Sequence, residues 1–184
     1  MAKDEHGPAL RADARRNRAK VLEAAFELFA AEGLAVPIQQ IARHAGVGGG
    51  TVSRHFPTKE ALYEAVFLSR VERMSDLAHT LADAADPGEA FFTYFAELLA
   101  EGTANRGLAE ALAGAGYDID AAASGSEHNV MGHMKQLLVR AQGAGAIRRD
   151  VEVEDIKALV AGALARDPRA RERMVSIVRA GLRA

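Results

Sequence analysis

The chain has 184 residues, 49% hydrophobic and 26% charged, which is ordinary for a globular protein with one or two cores. Because it contains no cysteine, disulfide bonds, thiol nucleophiles and cysteine-ligated zinc are excluded. The net charge of −2 is unevenly divided. Residues 1–59 hold nine Lys and Arg against six Asp and Glu, or +3, and residues 60–184 hold fourteen against nineteen, or −5. This asymmetry is typical of a segment that docks on nucleic acid joined to a domain that does not bind nucleic acid.

The chain begins with a polar segment. Residues 1–12 are expected to form a flexible arm, and they lack the apolar core of a secretion signal. No uncharged run approaches the roughly 18 residues that a membrane helix requires, so we expect a cytoplasmic protein with no membrane partner. An amphipathic helix follows in RRNRAKVLEAAFELFAAEG, which places Leu22, Ala25, Phe26 and Phe29 on one face and ends at Gly33.

Two short helices joined by a glycine turn are predicted next, in IQQIARHAGVGGGTVSRHFPTK at Ile38–Lys59. Gly46 supplies the positive φ that reverses the chain, and Val47 returns an apolar side chain to the core. The second helix should span about Gly48–His55, because Pro57 has no N–H to donate and disfavours helical geometry in the residue before it. The pattern predicts a helix-turn-helix whose second helix exposes hydrogen-bonding side chains suited to phosphates and base edges.

The remainder of the chain is predicted to be helical. Thr58 has the side chain of an N-cap for a long helix that closes at Asp86-Pro87-Gly88. Further helices are expected to about residue 102, near 108–113, from a capping box of Ser124 and Glu127 to 143, over 153–166 and over 168–182. No segment has a convincing strand pattern, so the predicted fold is all-α.

The neighbours of the helix-turn-helix carry a family resemblance. RRNRAKVLEAAFELFAAEG precedes it, and FPTKEALYEAV at Phe56–Val66 follows, with glycine, aromatic and lysine positions in step. Over roughly residues 14–71 the chain resembles the DNA-binding domain of the tetracycline-repressor (TetR) family of bacterial transcription regulators. The remainder is similar in helix pattern, together with GAIRRDVEVEDIKALVAG at Gly145–Gly162.

The resemblance implies two domains: an N-terminal three-helix helix-turn-helix DNA-binding domain, residues 13–60, and a C-terminal helical ligand-binding and dimerisation domain, residues 61–184. It implies that Thr58 and Lys59 reach a phosphate at the N-terminus of the long helix. Free N–H groups and the helix dipole favour phosphate there on physical grounds as well. The other implied DNA-contacting positions, all in the recognition helix, are Gly49, Gly50, Thr51, Ser53, Arg54 and His55.

The chain departs from the family pattern within the recognition helix. Gly48-Gly49 stand where Ser-Lys is usual, and Ser53 stands where Tyr is usual, so a cap hydroxyl, a cation and an aromatic hydroxyl are missing. Consecutive glycines cost roughly 0.5–1 kcal/mol each inside a helix. We therefore expect a recognition helix that frays without DNA, and a lower affinity for each half-site than in relatives.

The C-terminal domain contains aromatic and methionine side chains that could line an apolar ligand cavity. Plain core packing is the alternative for each of them, and His128, His133 and Tyr117 are possible polar anchors if a cavity exists. The candidate cavity residues are Met74, Phe91, Phe92, Phe95, Tyr117, Met131 and Met134.

The last two predicted helices each carry an apolar stripe that a thin domain cannot wholly cover, which indicates dimerisation. A two-fold dimer places two recognition helices about one DNA turn apart, so a palindromic operator is expected. The candidate dimer residues are Ile156, Leu159, Val160, Gly162, Met174, Ile177 and Val178.

Together with these patterns, the resemblance implies a homodimeric regulator, a repressor that a small apolar effector releases from a palindromic operator. The alternative is a ligand-free helical DNA-binding or scaffold protein whose C-terminal domain only dimerises. No enzyme is expected, since no catalytic motif is present, and no cofactor is expected. No metal is expected either, because His128 and His133 are five residues apart and lie on different faces of one helix.

Overall fold

The computed structural model describes residues 7–125, 129–165 and 171–184. These residues form ten α-helices and, within those ranges, no strand; Ile147 and Arg183 make one isolated antiparallel bridge. The all-α prediction is confirmed. The helices are α1 Gly7–Glu32, α2 Ile38–His44, α3 Gly49–His55, α4 Lys59–Ala82, α5 Pro87–Ala104, α6 Arg106–Gly114, α7 Ile119–Ser124, α8 Val130–Gly143, α9 Val153–Leu164 and α10 Arg171–Leu182.

The described chain divides into two compact units. Unit 1 comprises the residues up to Ser69 together with Gly107–Tyr117, and unit 2 comprises Arg70–Arg106 and Asp118–Ala184. The division therefore falls inside α4, nine residues beyond the predicted domain boundary at residue 60, and assigns most of α6 to unit 1. None of the helices in the described ranges is both long and apolar enough to cross a membrane.

Unit 1 is built around the packing of α1, α2 and α3. On the predicted apolar face of α1, Leu22, Ala25 and Phe29 are at 8% exposure or less, and Phe26 is half-buried. The Phe29 ring meets the Tyr63 ring of α4 edge-on, with centroids 5.2 Å apart. Ile41 of α2 is fully buried in the same unit. Other large buried side chains of this core include Val21, Val52, Phe56, Leu62 and Val66.

Helix α1 is longer than the sequence suggested. It begins at Gly7, so residues 7–12, which were assigned to a flexible arm, are helical. The segment PALRA accounts for this, because Pro8 is tolerated in a first turn and Ala, Leu and Arg are strong helix formers. Among the side chains whose burial is described, from residue 12 onward, burial starts only at Val21, so α1 begins before the part that packs in the core of unit 1.

Unit 2 is centred on the packing of α5 against α8. Tyr94, Phe95 and Met134 are fully buried, and the Tyr94 hydroxyl donates a 3.1 Å hydrogen bond to the Val130 carbonyl oxygen. Burial raises the pKa of that hydroxyl well above its ordinary value. At the start of α5, a Cβ on Gly88 would lie 2.7 Å from the Ala146 Cβ, so only glycine permits this approach.

A buried ion pair joins α4 to α5 in unit 2. The Arg70 guanidinium donates from Nε to Glu101 at 2.9 Å and from its terminal nitrogen to the other carboxylate oxygen at 2.5 Å. Both residues are only 7% exposed. Arg73 and Asn105 also donate to the Glu101 carboxylate, at 3.2 Å and 3.1 Å. Neither the periodicity nor any sequence motif predicted this cluster.

Several helix boundaries differ from the prediction. Ser124, predicted as the cap of the helix now seen as α8, is instead the last residue of α7, a helix that the sequence did not indicate. The cap of α8 is Asn129, whose side chain accepts from the Gly132 N–H at 2.7 Å. The proposed capping partner Glu127 lies outside the described residues, as do Asp167-Pro168, the predicted start of the last helix.

Candidate DNA-binding site

The turn between α2 and α3 has the predicted geometry. Gly46 has φ +67°, and the Val47 N–H donates to the Ala42 carbonyl oxygen at 3.0 Å. Helix α3 then begins after Gly48 and ends at Phe56, whose φ of −134° and ψ of 89° break the helix just before Pro57. A helix-turn-helix is therefore present at the predicted position.

The recognition helix α3 is anchored on one side and open on the other. Val52 and Phe56 are buried, with 0% and 5% exposure, and fix the helix to unit 1. Ser53 and Arg54 are exposed, whereas Thr51 and His55 are half-buried. Four of the implied DNA-contacting side chains thus lie at or near the surface, in the arrangement that reading a major groove requires.

The glycines at the start of α3 leave its first turn bare. Gly49 and Gly50 are exposed. A Cβ built on Gly49 would meet nothing within 4 Å, and one on Gly50 would meet only the Arg54 guanidinium, at 3.6 Å. The packing of unit 1 therefore does not require either glycine, and the Arg54 guanidinium lies back along the helix over Gly50.

The start of α4 departs partly from expectation. The exposed Thr58 hydroxyl accepts from the Ala61 N–H at 3.1 Å, which confirms its role as N-cap. The half-buried Lys59 donates from Nζ to the Leu34 carbonyl oxygen at 2.9 Å, and the Tyr63 hydroxyl donates to the same oxygen at 2.8 Å. An ammonium has three donors, so this contact positions Lys59 and leaves donors for a phosphate.

A contact that the sequence analysis missed joins α1 to the end of α3. The Arg18 guanidinium lies over the Phe56 ring, 5.5 Å from its centroid. The sequence held a signal for this contact in the basic run RRNRAK, which continues the helical spacing of the buried face of α1.

Comparison with known proteins identifies the two parts of the chain. Residues 21–66 match the profile of bacterial regulatory proteins of the tetR family, and residues 86–184, more than half of the chain, match the C-terminal domain of SbtR-like transcriptional regulators. The crystal structure of a TetR transcription regulatory protein from Mycobacterium vanbaalenii is 49% identical, with a TM-score of 0.80 over 95% of this chain and 99% of that one. The chain belongs to the TetR family. It is a DNA-binding transcription regulator and not an enzyme.

Two further relatives agree with membership of the TetR family. A TetR transcriptional regulator from Streptomyces coelicolor is 36% identical, with a TM-score of 0.78 over 90% of this chain and 98% of that one. The uncharacterized HTH-type transcriptional regulator TtgW of Pseudomonas putida is 42% identical over 60 residues, which are 32% of this chain and 45% of that protein. The TtgW match thus spans less than half of that relative.

The candidate cavity residues of this TetR-family chain do not all lie in one unit. Tyr117 belongs to unit 1, where burial and the neighbouring Glu64 raise the pKa of its hydroxyl. In unit 2, the Phe91 ring meets the Phe92 ring edge-on at 5.2 Å and stacks with the Phe95 ring at 6.3 Å. The unit 2 candidates are buried, except Met131, which is half-buried; the others are Met74, Phe91, Phe92, Phe95 and Met134.

His133, one of the possible polar anchors, lies against another histidine. Its ring is edge-on to that of His79, with centroids 5.2 Å apart. Burial, followed by the charge of His79, lowers the pKa of His133 below its usual value. His128 lies outside the described residues. No group of three or more histidine, aspartate and glutamate side chains in the described ranges could hold a metal ion.

The candidate dimer residues separate into two groups. Ile156 and Val178 are 0% and 7% exposed within the single chain, so its own core already covers them, and their place in an interface stays a prediction. Helical periodicity placed them on an apolar stripe but could not tell which part of the stripe the chain itself covers. Ile177 is 65% exposed. Gly162 is also exposed, and the half-buried candidates are Leu159, Val160 and Met174.

Proposed function

We propose that this TetR-family regulator is a homodimeric repressor that binds a palindromic operator and is released from it by a small apolar effector. The observation that carries the DNA-binding part is the geometry of α3. Its buried Val52 and Phe56 fix the helix, and its exposed Ser53 and Arg54 stand clear of the domain core. Because chromosomal DNA is its partner, we place the protein in the cytoplasm.

We assign the DNA contacts by residue chemistry. Arg54, exposed in the last turn of α3, has the guanidinium fork that reads a guanine edge, and Ser53 is a short hydrogen-bonding side chain beside it. Thr51 and His55 border the same face. Thr58 and Lys59 are assigned to phosphate at the N-terminus of α4, where the helix dipole and the lysine charge act together. The bare turn at Gly49 and Gly50 permits close approach of the backbone.

Dimerisation is assigned to the apolar surface of α9 and α10. Ile177, exposed by 65%, is a large apolar side chain that a second copy of the chain would cover. Leu159, Val160 and Met174 are only half-covered by their own chain, and Gly162 allows close approach of a partner helix. Two-fold pairing through these residues gives a palindromic operator by symmetry.

The effector is assigned to unit 2. Its aromatic and methionine residues at 91–95 and 131–134 provide the adaptable apolar surroundings that a small apolar molecule requires. The competing function, a C-terminal domain that only dimerises, is favoured by the close ring packing of Phe91 with Phe92 and Phe95. Ring packing of this kind is also found in an ordinary core that binds no ligand.

A reporter gene under a selected operator distinguishes these functions. The repressor proposal predicts that expressing the protein lowers reporter output and that one compound of an apolar metabolite panel restores it. The same compound should lower operator affinity in fluorescence anisotropy, and operator DNA should lower the affinity for the compound by the same factor, because coupling between binding sites is reciprocal. Unchanged or increased output on expression would contradict repression, and a panel without any active compound would favour the ligand-free function.

A further inference from the structure

The first part of α1 is a charged helix that the core of unit 1 does not cover. From Asp13 to Lys20 all but one of the side chains are exposed, the exception being the half-buried Asn17, and full burial begins at Val21. The segment DARRNRAK contains four Lys and Arg against one Asp. It also precedes the residues that match the family profile, which start at residue 21. The segment therefore lies outside the residues that the profile matches.

The basic residues are not spread evenly around α1. At 100° per residue, Arg15 and Arg18 lie on the same stripe as Leu22, which packs in the core of unit 1. Lys20 lies on the opposite side of the helix. Arg16 lies away from the stripe and is paired with Asp13, whereas among the described side chains no carboxylate is paired with Arg15.

The contact between Arg18 and Phe56 shows where this stripe points. Phe56 is the residue that ends the recognition helix, and the Arg18 guanidinium lies 5.5 Å from its ring centroid. At Arg18 the stripe thus reaches the C-terminal end of α3, two residues along the chain from the assigned phosphate contact at Thr58.

We propose that Arg15 and Arg18 bind backbone phosphates of the DNA that flanks the bases read by α3. Residues 7–20 of α1 are about 20 Å long at 1.5 Å per residue, and that length of duplex carries on the order of a dozen phosphate charges. Guanidinium groups bind phosphate oxygens bidentately, and such contacts add affinity without adding sequence information. The segment lengthens the DNA contact of each subunit beyond the helix-turn-helix.

The proposal depends on DNA binding alone, and not on repression or on an effector. It is tested by fluorescence anisotropy on a selected binding site, as a minimal duplex and with about ten flanking base pairs on each side, over about 50–200 mM salt. The variants are Arg15→Ala and Arg18→Ala, with Arg15→Lys to retain the charge. Lys20→Ala is the matched control, since it removes the same charge from the opposite side of the same helix.

On the flanked duplex, Arg15→Ala should reduce the slope of log affinity against log salt by about 1 per subunit. Its affinity deficit should therefore shrink about threefold per contact between about 50 and 200 mM salt. On the minimal duplex the deficit should be smaller, Arg15→Lys should keep the wild-type slope, and Lys20→Ala should behave like the wild type.

Equal slopes for Arg15→Ala and the wild type on the flanked duplex would overturn the proposal. So would an equal loss for Arg15→Ala and Lys20→Ala, which would show a general charge effect in place of a contact. Because Arg18 also packs on Phe56, circular dichroism must show intact helical content before its slope is interpreted; Arg15, which lies outside the core, decides the matter if Arg18→Ala unfolds.

Discussion

Replacing Glu101 by glutamine removes the charge at the centre of the buried cluster between α4 and α5. The carboxylate, 9% exposed, accepts hydrogen bonds from Arg70, Arg73 and Asn105. Glutamine preserves the size of the side chain but removes the carboxylate charge that faces the buried Arg70 guanidinium. The cost of leaving one buried charge uncompensated is commonly 3–5 kcal/mol.

We expect the low end of that range, about 3 kcal/mol, because the glutamine oxygen still accepts one hydrogen bond. For a chain of this size, each kcal/mol shifts the Tm by about 2–4 °C, so the expected decrease is about 6–12 °C. Glu97, one turn earlier on α5, provides the matched control. It pairs with Arg73 at 3.2 Å but is 41% exposed, and Glu97→Gln should cost less than about 1 kcal/mol.

The assay is urea unfolding followed by circular dichroism, at one fixed protein concentration because subunit association makes the apparent stability depend on concentration. The double substitution Arg70→Met with Glu101→Leu should recover most of the loss, since a well-packed apolar pair removes both buried charges together. If Glu101→Gln costs no more than Glu97→Gln, the cluster is not electrostatically important and the reasoning from burial is refuted.

Three further perturbations test other parts of the structure. Gly46→Ala should lower the free energy of unfolding by about 1–2 kcal/mol, because Gly46 has φ +67°. In Gly49→Ala the added Cβ would meet nothing within 4 Å, so this substitution should be neutral or stabilising by up to about 1 kcal/mol. Similar losses for both substitutions in urea titrations would contradict this. Ile177→Glu should give folded monomers in analytical ultracentrifugation, and these monomers should bind the operator weakly. A wild type that is itself monomeric at micromolar concentration would contradict the assigned interface. The lowered pKa of His133 means that the folded state disfavours the protonated imidazole, so stability present above the unfolded pKa of about 6.5 should be lost as the pH falls below that value. His133→Gln should reduce this loss of stability between pH 7 and 5.5. An identical pH dependence of stability in both proteins would exclude this contribution.

The parts of the fold that the sequence predicted correctly depend on local chemistry. Gly46 permits the positive φ of the turn, and Pro57 disfavours helical geometry in the residue before it, so the turn and the end of α3 followed from single residues. Thr58 similarly caps α4 through a hydrogen bond to a residue only three positions along the chain. Such features are encoded within one turn of the chain and could be predicted without knowing the tertiary structure.

The parts that the sequence did not predict depend on distant partners or on competing local choices. Ser124 and Asn129 are both good cap residues. Because Ser124 is the last residue of the extra helix α7, Asn129 caps α8. The Arg70–Glu101 pair joins residues 31 apart, and its existence depends on how α4 and α5 pack. Periodicity also placed Ile156 and Val178 on apolar stripes without showing that their own chain covers them.

Selecting binding sites from a pool of random DNA with the wild-type protein tests the central claim most directly. A homodimer that reads DNA through α3 should enrich a palindrome, with half-site centres about 34–36 Å apart, or about 10–10.5 base pairs, or at a multiple of that spacing. In parallel, Arg54→Ala should enrich sites that have lost sequence preference at one symmetric pair of positions. Enrichment of an asymmetric site, or of no sequence at all, would contradict the account.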